Sequence, residues 1–267
     1  MSNDDRPIPS EIGIAVEELK QAAIFLTRLP ARLAGLDTGQ APDFRHGARV
    51  FAIIGALVGL AGGIVLVVTA WIGIPGFVAA ALAVATTMFI TGGLHEDGLA
   101  DTADSFGGAT TDKKLAIMDD SRVGTYGALA LILSVLLRIG CLAAIAADGP
   151  LRAALVLIAA EAVSRAALVR LWHDLPAARA SGLAHDTGPP DQNAMLIALA
   201  IAAVIAIVLG IPAVGFWPVI LAGALAALAT YAAIRITAGA LGGRTGDTLG
   251  ACQQLAAAAF LIGASVA

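Results

Sequence analysis

VFAIIGALVGLAGGIVLVVTAW, which runs from Val50 to Trp71, contains no charged side chain and is long enough to cross a lipid bilayer. A helix rises about 1.5 Å per residue, so roughly 20 apolar residues span about 30 Å of hydrocarbon. Within this stretch, Gly55, Gly59 and Gly63 form a double small-xxx-small pattern, which predicts close contact with another helix. Similar runs elsewhere predict about seven spans, most of them joined in short hairpins. They are Val50–Trp71, Gly76–Gly93, Tyr126–Ala147, Leu151–Leu171, Ala194–Gly210, Phe216–Ile236 and Ala251–Val266.

The composition of the chain agrees with a membrane protein. Of its 267 residues, 58% are hydrophobic and only 13% are charged, whereas an average soluble domain has about 25% charged residues. We therefore predict an all-α, polytopic transmembrane helical bundle, with residues 1–267 forming a single membrane-embedded domain. The lipid bilayer is therefore a predicted partner of the chain. No basic stretch with interleaved aromatic residues is present, which argues against nucleic acid as a partner.

The distribution of basic residues predicts the orientation of the bundle. Nearly all lysines and arginines fall on one side of the predicted spans, and Arg152 falls on the other. The positive-inside rule assigns the basic side to the cytoplasm, at the bacterial inner membrane. Residues 1–49 then form a cytoplasmic N-terminal segment. Within it, Glu11–Leu29 carries apolar residues at helical spacing, which predicts an amphipathic helix on the membrane surface.

An acidic segment, GGLHEDGLADTADSFGG, follows the second predicted span from Gly92 to Gly108. On a helix, Asp97, Asp101 and Asp104 occupy positions i, i+4 and i+7 and therefore share one face. Carboxylates this close repel each other unless they are solvated, protonated or bridged by a cation. Their oxygens suit Mg²⁺, and a single histidine, His95, makes zinc less favoured. The alternative is a solvated helix start that complements the helix dipole.

Two other polar segments are candidates for the same site. DDSRVGTYG (Asp119–Gly127) offers Asp120 as a further acid and an arginine suited to binding phosphate in a bidentate manner. GGRTGDTLGA (Gly242–Ala251) offers Asp247 as a further metal ligand. For both segments the alternative is an ordinary helix cap. The candidate phosphate-binding residues in and near these segments are Lys113, Lys114, Arg122, Thr125, Tyr126 and Arg244.

Three charged residues fall well inside predicted spans, away from the span ends. Arg138 and Glu161 stand about ten residues on either side of the same turn, so they reach the same depth and are predicted to pair. Arg165 follows Glu161 by four residues and lies nearer the cytoplasm. We predict that the first pair is structural and that Arg165 reaches a substrate phosphate.

Five motifs together resemble the adenosylcobinamide-GDP ribazoletransferase family, the cobalamin synthases. They follow the family's order and spread over most of the chain. The motifs are FLTRLP (Phe25–Pro30), GGLHEDGLADTAD (Gly92–Asp104), IMDDSRVGTYGALAL (Ile117–Leu131), AVSR (Ala162–Arg165) and GGRTGDTLGA (Gly242–Ala251).

The resemblance implies a Mg²⁺-dependent transferase. It would join α-ribazole, or α-ribazole 5′-phosphate, to adenosylcobinamide-GDP, release GMP and form adenosylcobalamin or its phosphate. The aspartate of the family's HxDG segment falls on Asp97, and its Asp-Ser-Arg segment begins at Asp120. Two positions depart from the family pattern: Glu96 replaces a commonly apolar residue, and Gln254 stands where an acid often follows the last motif.

The predicted mechanism is a direct phosphoryl transfer with no covalent intermediate. Asp97 is essential in this scheme because it helps to hold the Mg²⁺ that neutralises the leaving GMP. Asp120 or His95 is the predicted general base for the ribazole hydroxyl. Arg122 and Arg165, with Lys113 or Lys114, are predicted to bind the phosphate oxygens. The sequence is compatible with a homo-oligomer.

Two alternatives from other classes remain open. A CDP-alcohol phosphatidyltransferase uses similar metal chemistry, but its Asp-x-x-Asp-Gly-x-x-Ala-Arg pattern differs here, because Asp97-Gly98 is not followed by Ala-Arg. A transporter is the other alternative, since intramembrane charges such as Arg138 and Glu161 can mark a substrate path. Most of the charge, however, lies at one membrane edge, whereas transporter sites usually lie near the midplane.

Overall fold

The fold is a bundle of α-helices. A computed structural model describes residues 11–30, 44–179 and 188–266, and within these residues there is no β-strand beyond one isolated bridge. The all-α prediction is therefore confirmed. The main helices are α1 (Glu11–Leu26), α2 (Phe51–Trp71), α3 (Gly76–Thr91), α4 (Leu94–Ser105), α5 (Thr111–Met118), α6 (Thr125–Ala147), α7 (Pro150–Asp174), α8 (Gln192–Ile205), α9 (Phe216–Leu241) and α10 (Gly246–Ala264).

Fewer helices than predicted are long and apolar enough to be identified as membrane spans. In the described part of the chain, four helical segments are long and apolar enough to cross a bilayer: Phe44–Trp71, Thr125–Ala147, Gln192–Val214 and Phe216–Leu241. A fifth results if α3 and α4, which meet at 90°, are counted as one span. The prediction of about seven spans is not confirmed, although every predicted segment is helical.

The three remaining predicted spans do not combine this length with this apolar character, for two reasons. Helix α3 has only 16 residues, which is short for the hydrocarbon core. Helices α7 and α10 are long enough, but they carry charged and amide side chains that are buried against other helices. A helix that faces protein on most sides does not need the uniformly apolar surface that lipid requires.

Glycines with left-handed backbone angles make the hairpin turns. Gly73 (φ 86°) joins α2 to α3, and Gly149 (φ 145°) joins α6 to α7. The sequence predicts the third turn in IPAVG (Ile211–Gly215). Pro212 lies in a helical turn, Ile211–Val214, and the chain reverses at Gly215 (φ 93°), within the predicted segment. Glycine tolerates these angles because it has no Cβ.

The predicted glycine pattern on α2 does form a close helix contact. A Cβ placed on Gly59 would lie 2.7 Å from the Cα of Ile158, and one on Gly63 would lie 3.1 Å from the Cβ of Ala154. Both partners belong to α7. The backbones of α2 and α7 therefore approach more closely than any larger residue would allow.

The N-terminal segment forms a helix, α1, as predicted, and its two ends differ in burial. Ile12 is 77% exposed, whereas Leu26 is buried. The buried end joins a cluster of aromatic rings whose centroids lie 4.6–6.2 Å apart. Such contacts dock α1 against the ends of α2 and α7. The rings belong to Phe25, Phe44, Phe51 and Trp172.

The sharp bend between α3 and α4 places the acidic segment. Gly92 (φ 67°) ends α3, and Gly93 (φ 71°) precedes α4. Helix α4 then runs at 90° to α3, beyond the end of that span, and packs against α6 and α10. The acidic face is thereby held across one end of the bundle.

Candidate active site

Helix α4 carries the acidic residues on one face and meets α10 at a glycine crossing. A Cβ on Gly98 would lie 2.6 Å from the backbone oxygen of Asp247 at the start of α10. A Cβ on Gly250 would lie 3.1 Å from the Cα of His95. Because neither helix has a side chain at the crossing, Asp247 comes close to the acidic face of α4.

The carboxylates of Asp97, Asp101 and Asp247, called the acidic cluster below, interact electrostatically. Burial, followed by the charges of Asp97, Asp247 and Asp104, raises the pKa of Asp101 to about 6. Burial also raises the pKa of Asp247, and the charge of Asp97 adds to that effect. Neighbouring negative charges that raise a carboxyl pKa are the signature of a site that favours a cation.

Asp104 has a different environment from the acidic cluster. Its two carboxylate oxygens accept hydrogen bonds from the backbone N–H groups of Gly124 (2.7 Å) and Gly127 (2.9 Å). These two glycines begin α6. The bonds assign Asp104 to anchoring the loop before α6, and they do not support the metal-ligand role predicted for it.

Asp120 and Arg122 form an exposed ion pair at 2.6 Å. The hydrogen bonds from Arg122 hold the pKa of Asp120 down at about 2. A carboxylate with such a low pKa is a weak base, so its environment disfavours the predicted base role. The Arg122 side chain is 86% exposed. Among the other predicted phosphate-binding residues, Lys113, Thr125 and Tyr126 are exposed and Lys114 is half-buried.

The buried ion pairs differ from the prediction. Arg138 pairs with Glu96 at 3.0 Å, and Arg165 pairs with Glu161, four residues earlier on the same helix. The predicted Arg138–Glu161 pair is therefore wrong. Glu161 pairs with Arg165 within α7, so Arg138 pairs instead with Glu96 of α4. Arg165 is 2% exposed, and this burial does not support the predicted contact with a substrate phosphate.

Arg244 is also buried, and it supports the fold. Its guanidinium donates to the backbone oxygen of Leu175, and its backbone exchanges hydrogen bonds with Pro176 (2.7 Å) and Ala178 (2.8 Å). These contacts hold the segment after α7 against the turn before α10, so they do not support phosphate binding by Arg244. Thr245 caps α10, in agreement with the helix-cap alternative for this segment.

His95 lies beneath the acidic face of α4. It is 2% exposed, and its Nε2 has no hydrogen-bond partner among the described residues. To act as the predicted base, His95 would have to contact a substrate hydroxyl inside the protein. Asp97, two residues later, is exposed and needs no such entry. The position of His95 therefore favours a supporting role.

Sequence reasoning missed two arginines near the acidic cluster. Arg28 lines a cavity of about 560 Å³ together with Asp97. Arg179 donates to Asp119 at 2.6 Å, and its charge acts on Asp247. The FLTRLP motif was a signal for Arg28, whereas Arg179 follows α7 in a segment without a recognisable pattern.

The acidic cluster offers the ligands that Mg²⁺ prefers, although its oxygens do not surround a single point. Within residues 11–30, 44–179 and 188–266, no three acidic, histidine or cysteine side chains converge as a complete metal site. Asp97 is nevertheless exposed, and Asp101 holds its proton more tightly because it is partly buried and other carboxylates are near. Oxygen donors with uncompensated charge fit a hard divalent cation.

Comparison with known proteins agrees with the five sequence motifs. Residues 18–265 match the family model described as cobalamin-5-phosphate synthase. The chain belongs to this family. No solved structure matches the chain.

Relatives of the chain carry one common name, adenosylcobinamide-GDP ribazoletransferase. That of Azorhizobium caulinodans is 44% identical over 241 residues, which cover 90% of this chain and 91% of the relative. That of Rhizobium etli is 42% identical over 243 residues, covering 90% of this chain and 93% of the relative. That of Brucella anthropi is 40% identical over 241 residues, covering 90% and 92%. The family members therefore align over nearly their whole length.

Proposed function

We propose that the chain joins α-ribazole, or its 5′-phosphate, to adenosylcobinamide-GDP and releases GMP. The names of relatives up to 44% identical support this activity. The observation that carries it is the acidic cluster held where α4 crosses α10, because carboxylates on an open face suit a metal–diphosphate complex. The transporter alternative loses its motivation, since Arg138 and Arg165 are each paired with a buried carboxylate.

Asp97, Asp101 and Asp247 would hold Mg²⁺. When bound, the ion would offset the negative charge of the diphosphate and of the departing GMP. The exposed Arg122 would bind nonbridging phosphate oxygens, helped by Lys113 and nearby hydroxyls. Residues that contribute to this phosphate surface are Lys113, Lys114, Arg122, Thr125 and Tyr126, to which we add Arg28 and Arg179.

The proposed site faces the cytoplasm of a bacterial inner membrane. Basic residues such as Arg28, Lys113, Arg122 and Arg179 surround the same end of the bundle as the acidic cluster. The positive-inside rule places such an end in the cytoplasm.

A direct assay tests the activity. Purified protein in detergent is incubated with adenosylcobinamide-GDP, α-ribazole and Mg²⁺, and GMP release is followed by chromatography. We expect stoichiometric GMP and cobalamin. Corrinoid uptake into proteoliposomes without any GMP would support transport instead, and product from a CDP-alcohol and a lipid acceptor would support the phospholipid enzyme.

Gly98→Ala is expected to damage the site through the helix crossing. An added methyl group would meet the backbone of Asp247 at 2.6 Å, so α4 and α10 must separate. We expect GMP release to fall roughly 10²-fold, since small displacements of reacting groups cost about that much. Gly140→Ala is the matched control, because a Cβ there meets nothing within 4 Å. Equal activity of the two variants would contradict a tight crossing.

The stability of the metal-free protein should depend on pH through the acidic cluster. Folding raises the pKa of Asp101 from 3.8 to about 6, so the folded state binds this proton more tightly. The associated stability is present below about pH 4 and is lost as pH rises through about 6. Mg²⁺ competes with that proton, so it should raise the unfolding temperature more at about pH 7.5 than at about pH 5.

Thermal unfolding with and without Mg²⁺ at the two pH values measures this effect. Asp101→Asn is the control, because an amide does not titrate and the pH dependence should flatten. A Mg²⁺-induced shift of equal size at both pH values would count against the cluster as the binding site.

A further inference from the structure

One buried carboxylate oxygen joins three helices next to the acidic cluster. Arg138 of α6 donates from Nη2 to Oε1 of Glu96 on α4, at 3.0 Å. Gln254 of α10 donates from Nε2 to the same oxygen, also at 3.0 Å. Glu96 is 6% exposed, and the other two residues are each 2% exposed. The contact therefore lies wholly inside the protein.

Position 254 lies beside the same arginine. Ser134 stands four residues before Arg138 on α6, and its hydroxyl donates to Oε1 of Gln254 at 3.1 Å. The Gln254 side chain thus bridges Ser134 and Glu96, and it shares the acceptor oxygen Oε1 of Glu96 with Arg138. We therefore expect a carboxylate at position 254 to lie close enough to pair with the same arginine.

The charge on Arg138 requires a partner. The second buried arginine, Arg165, has its own carboxylate in Glu161. Removing Glu96 would therefore leave Arg138 as an unpaired charge in the core, which is strongly destabilising. Glu96 is in this sense the counter-ion of Arg138.

The ion pair adds a contact to the first turn of α4. Two glycines with left-handed angles, Gly92 and Gly93, make the bend before the helix, and Glu96 then ties its first turn to α6 through Arg138. Glu96 points inward to Arg138, while the next residue, Asp97, is about 100° further around the helix and is exposed. Holding Glu96 therefore also fixes the direction in which Asp97 points.

We propose that Glu96 is a positioning residue that orients Asp97 through its ion pair with Arg138, and that position 254 can supply the carboxylate instead. The role given to Asp97 rests on the proposed function. The ion pair between Glu96 and Arg138 does not depend on it. Groups that hold metal ligands in place typically change metal affinity by about 10- to 100-fold when removed.

The test exchanges the amide and the carboxylate. Four proteins are compared: wild type, Glu96→Gln, Gln254→Glu and the double variant. Glu96→Gln leaves Arg138 without a negative partner, and Gln254→Glu places two carboxylates on one guanidinium. We expect each single variant to lower the unfolding temperature and to weaken Mg²⁺ binding about 10-fold or more. The double variant should restore both within about threefold.

A matched control uses the neighbouring position. Gln253 donates from Nε2 to Ser164 of α7 at 2.9 Å, and its Oε1 accepts from Nε2 of Gln254 at 2.9 Å. Within the described residues it has no hydrogen bond to Glu96 or Arg138, so Glu96→Gln combined with Gln253→Glu should not recover the wild-type values. Folded yield in detergent serves as a further readout if a single variant does not fold, because the exchanged double variant is expected to recover it.

Two results would overturn the proposal. A double variant as impaired as the sum of the single variants would show that the carboxylate must be at position 96. Four proteins with the same unfolding temperature and metal affinity would show that the ion pair positions nothing. Wild-type protein that binds no Mg²⁺ would contradict the proposed function instead, and the unfolding-temperature cycle would still test the ion pair.

Discussion

Asp97→Asn should lower the rate of GMP release by about 10²- to 10³-fold while the protein keeps its helical content and its unfolding temperature. The change removes one negative charge from the acidic cluster, and losses of this size are typical when one charge-stabilising group is removed from an active site. The fold should persist because Asp97 is exposed and is not part of the buried network of α4. Activity, circular dichroism and thermal unfolding are measured on the same preparation.

Asp112→Asn provides the matched control for this prediction. Asp112 is an exposed acid in the first turn of α5, and the acidic cluster does not include it. We expect nearly wild-type activity from the control. Near-normal GMP release by Asp97→Asn would remove Asp97 from the catalytic site.

Asp104→Ala is expected to reduce both activity and stability. It would leave the backbone N–H groups of Gly124 and Gly127 without the carboxylate that now binds them at 2.7 and 2.9 Å. Hydrogen bonds to a charged group contribute about 1.5–3 kcal/mol each, and part of that is recovered by water at this half-buried site. We expect a loss of about 2 kcal/mol in the free energy of unfolding, together with roughly 10²-fold slower turnover as Arg122 loses its position.

Asp97 and Asp104 are distinguished by measuring both stability and turnover, because only the Asp104 change is expected to reduce both. Chemical denaturation measures the stability loss, and the GMP assay measures turnover. Asp104→Asn retains one acceptor and should fall between Asp104→Ala and the wild type. An Asp104→Ala protein with unchanged stability but reduced Mg²⁺ affinity would instead return Asp104 to the metal ligands.

Local sequence patterns predicted the helices well. The spacing of Asp97, Asp101 and Asp104 predicted a helix with one acidic face, and α4 has that geometry. Glycines and prolines marked most of the turns, because their backbone preferences are local. The helical segments were predicted correctly because long apolar runs are also a local feature of the sequence.

The parts that the sequence did not predict depend on neighbours in space. Whether α7 and α10 face lipid or protein is decided by packing, so a count of apolar runs alone did not establish the number of spans. Arg138 pairs with Glu96 because α4 turns inward after two glycines. The spacing of residues along the chain does not reveal this turn. Arg244 was expected at a phosphate, but it is buried against the backbone after α7.

Calorimetric titration of Mg²⁺ into the purified protein, with adenosylcobinamide-GDP present, is the most direct test of joint metal binding by α4 and α10. We expect binding by the wild type and an affinity at least about 10-fold weaker in Asp97→Asn, Asp101→Asn and Asp247→Asn, with Asp112→Asn unchanged. No binding by the wild type, or an affinity that none of the three changes alters, would contradict the account.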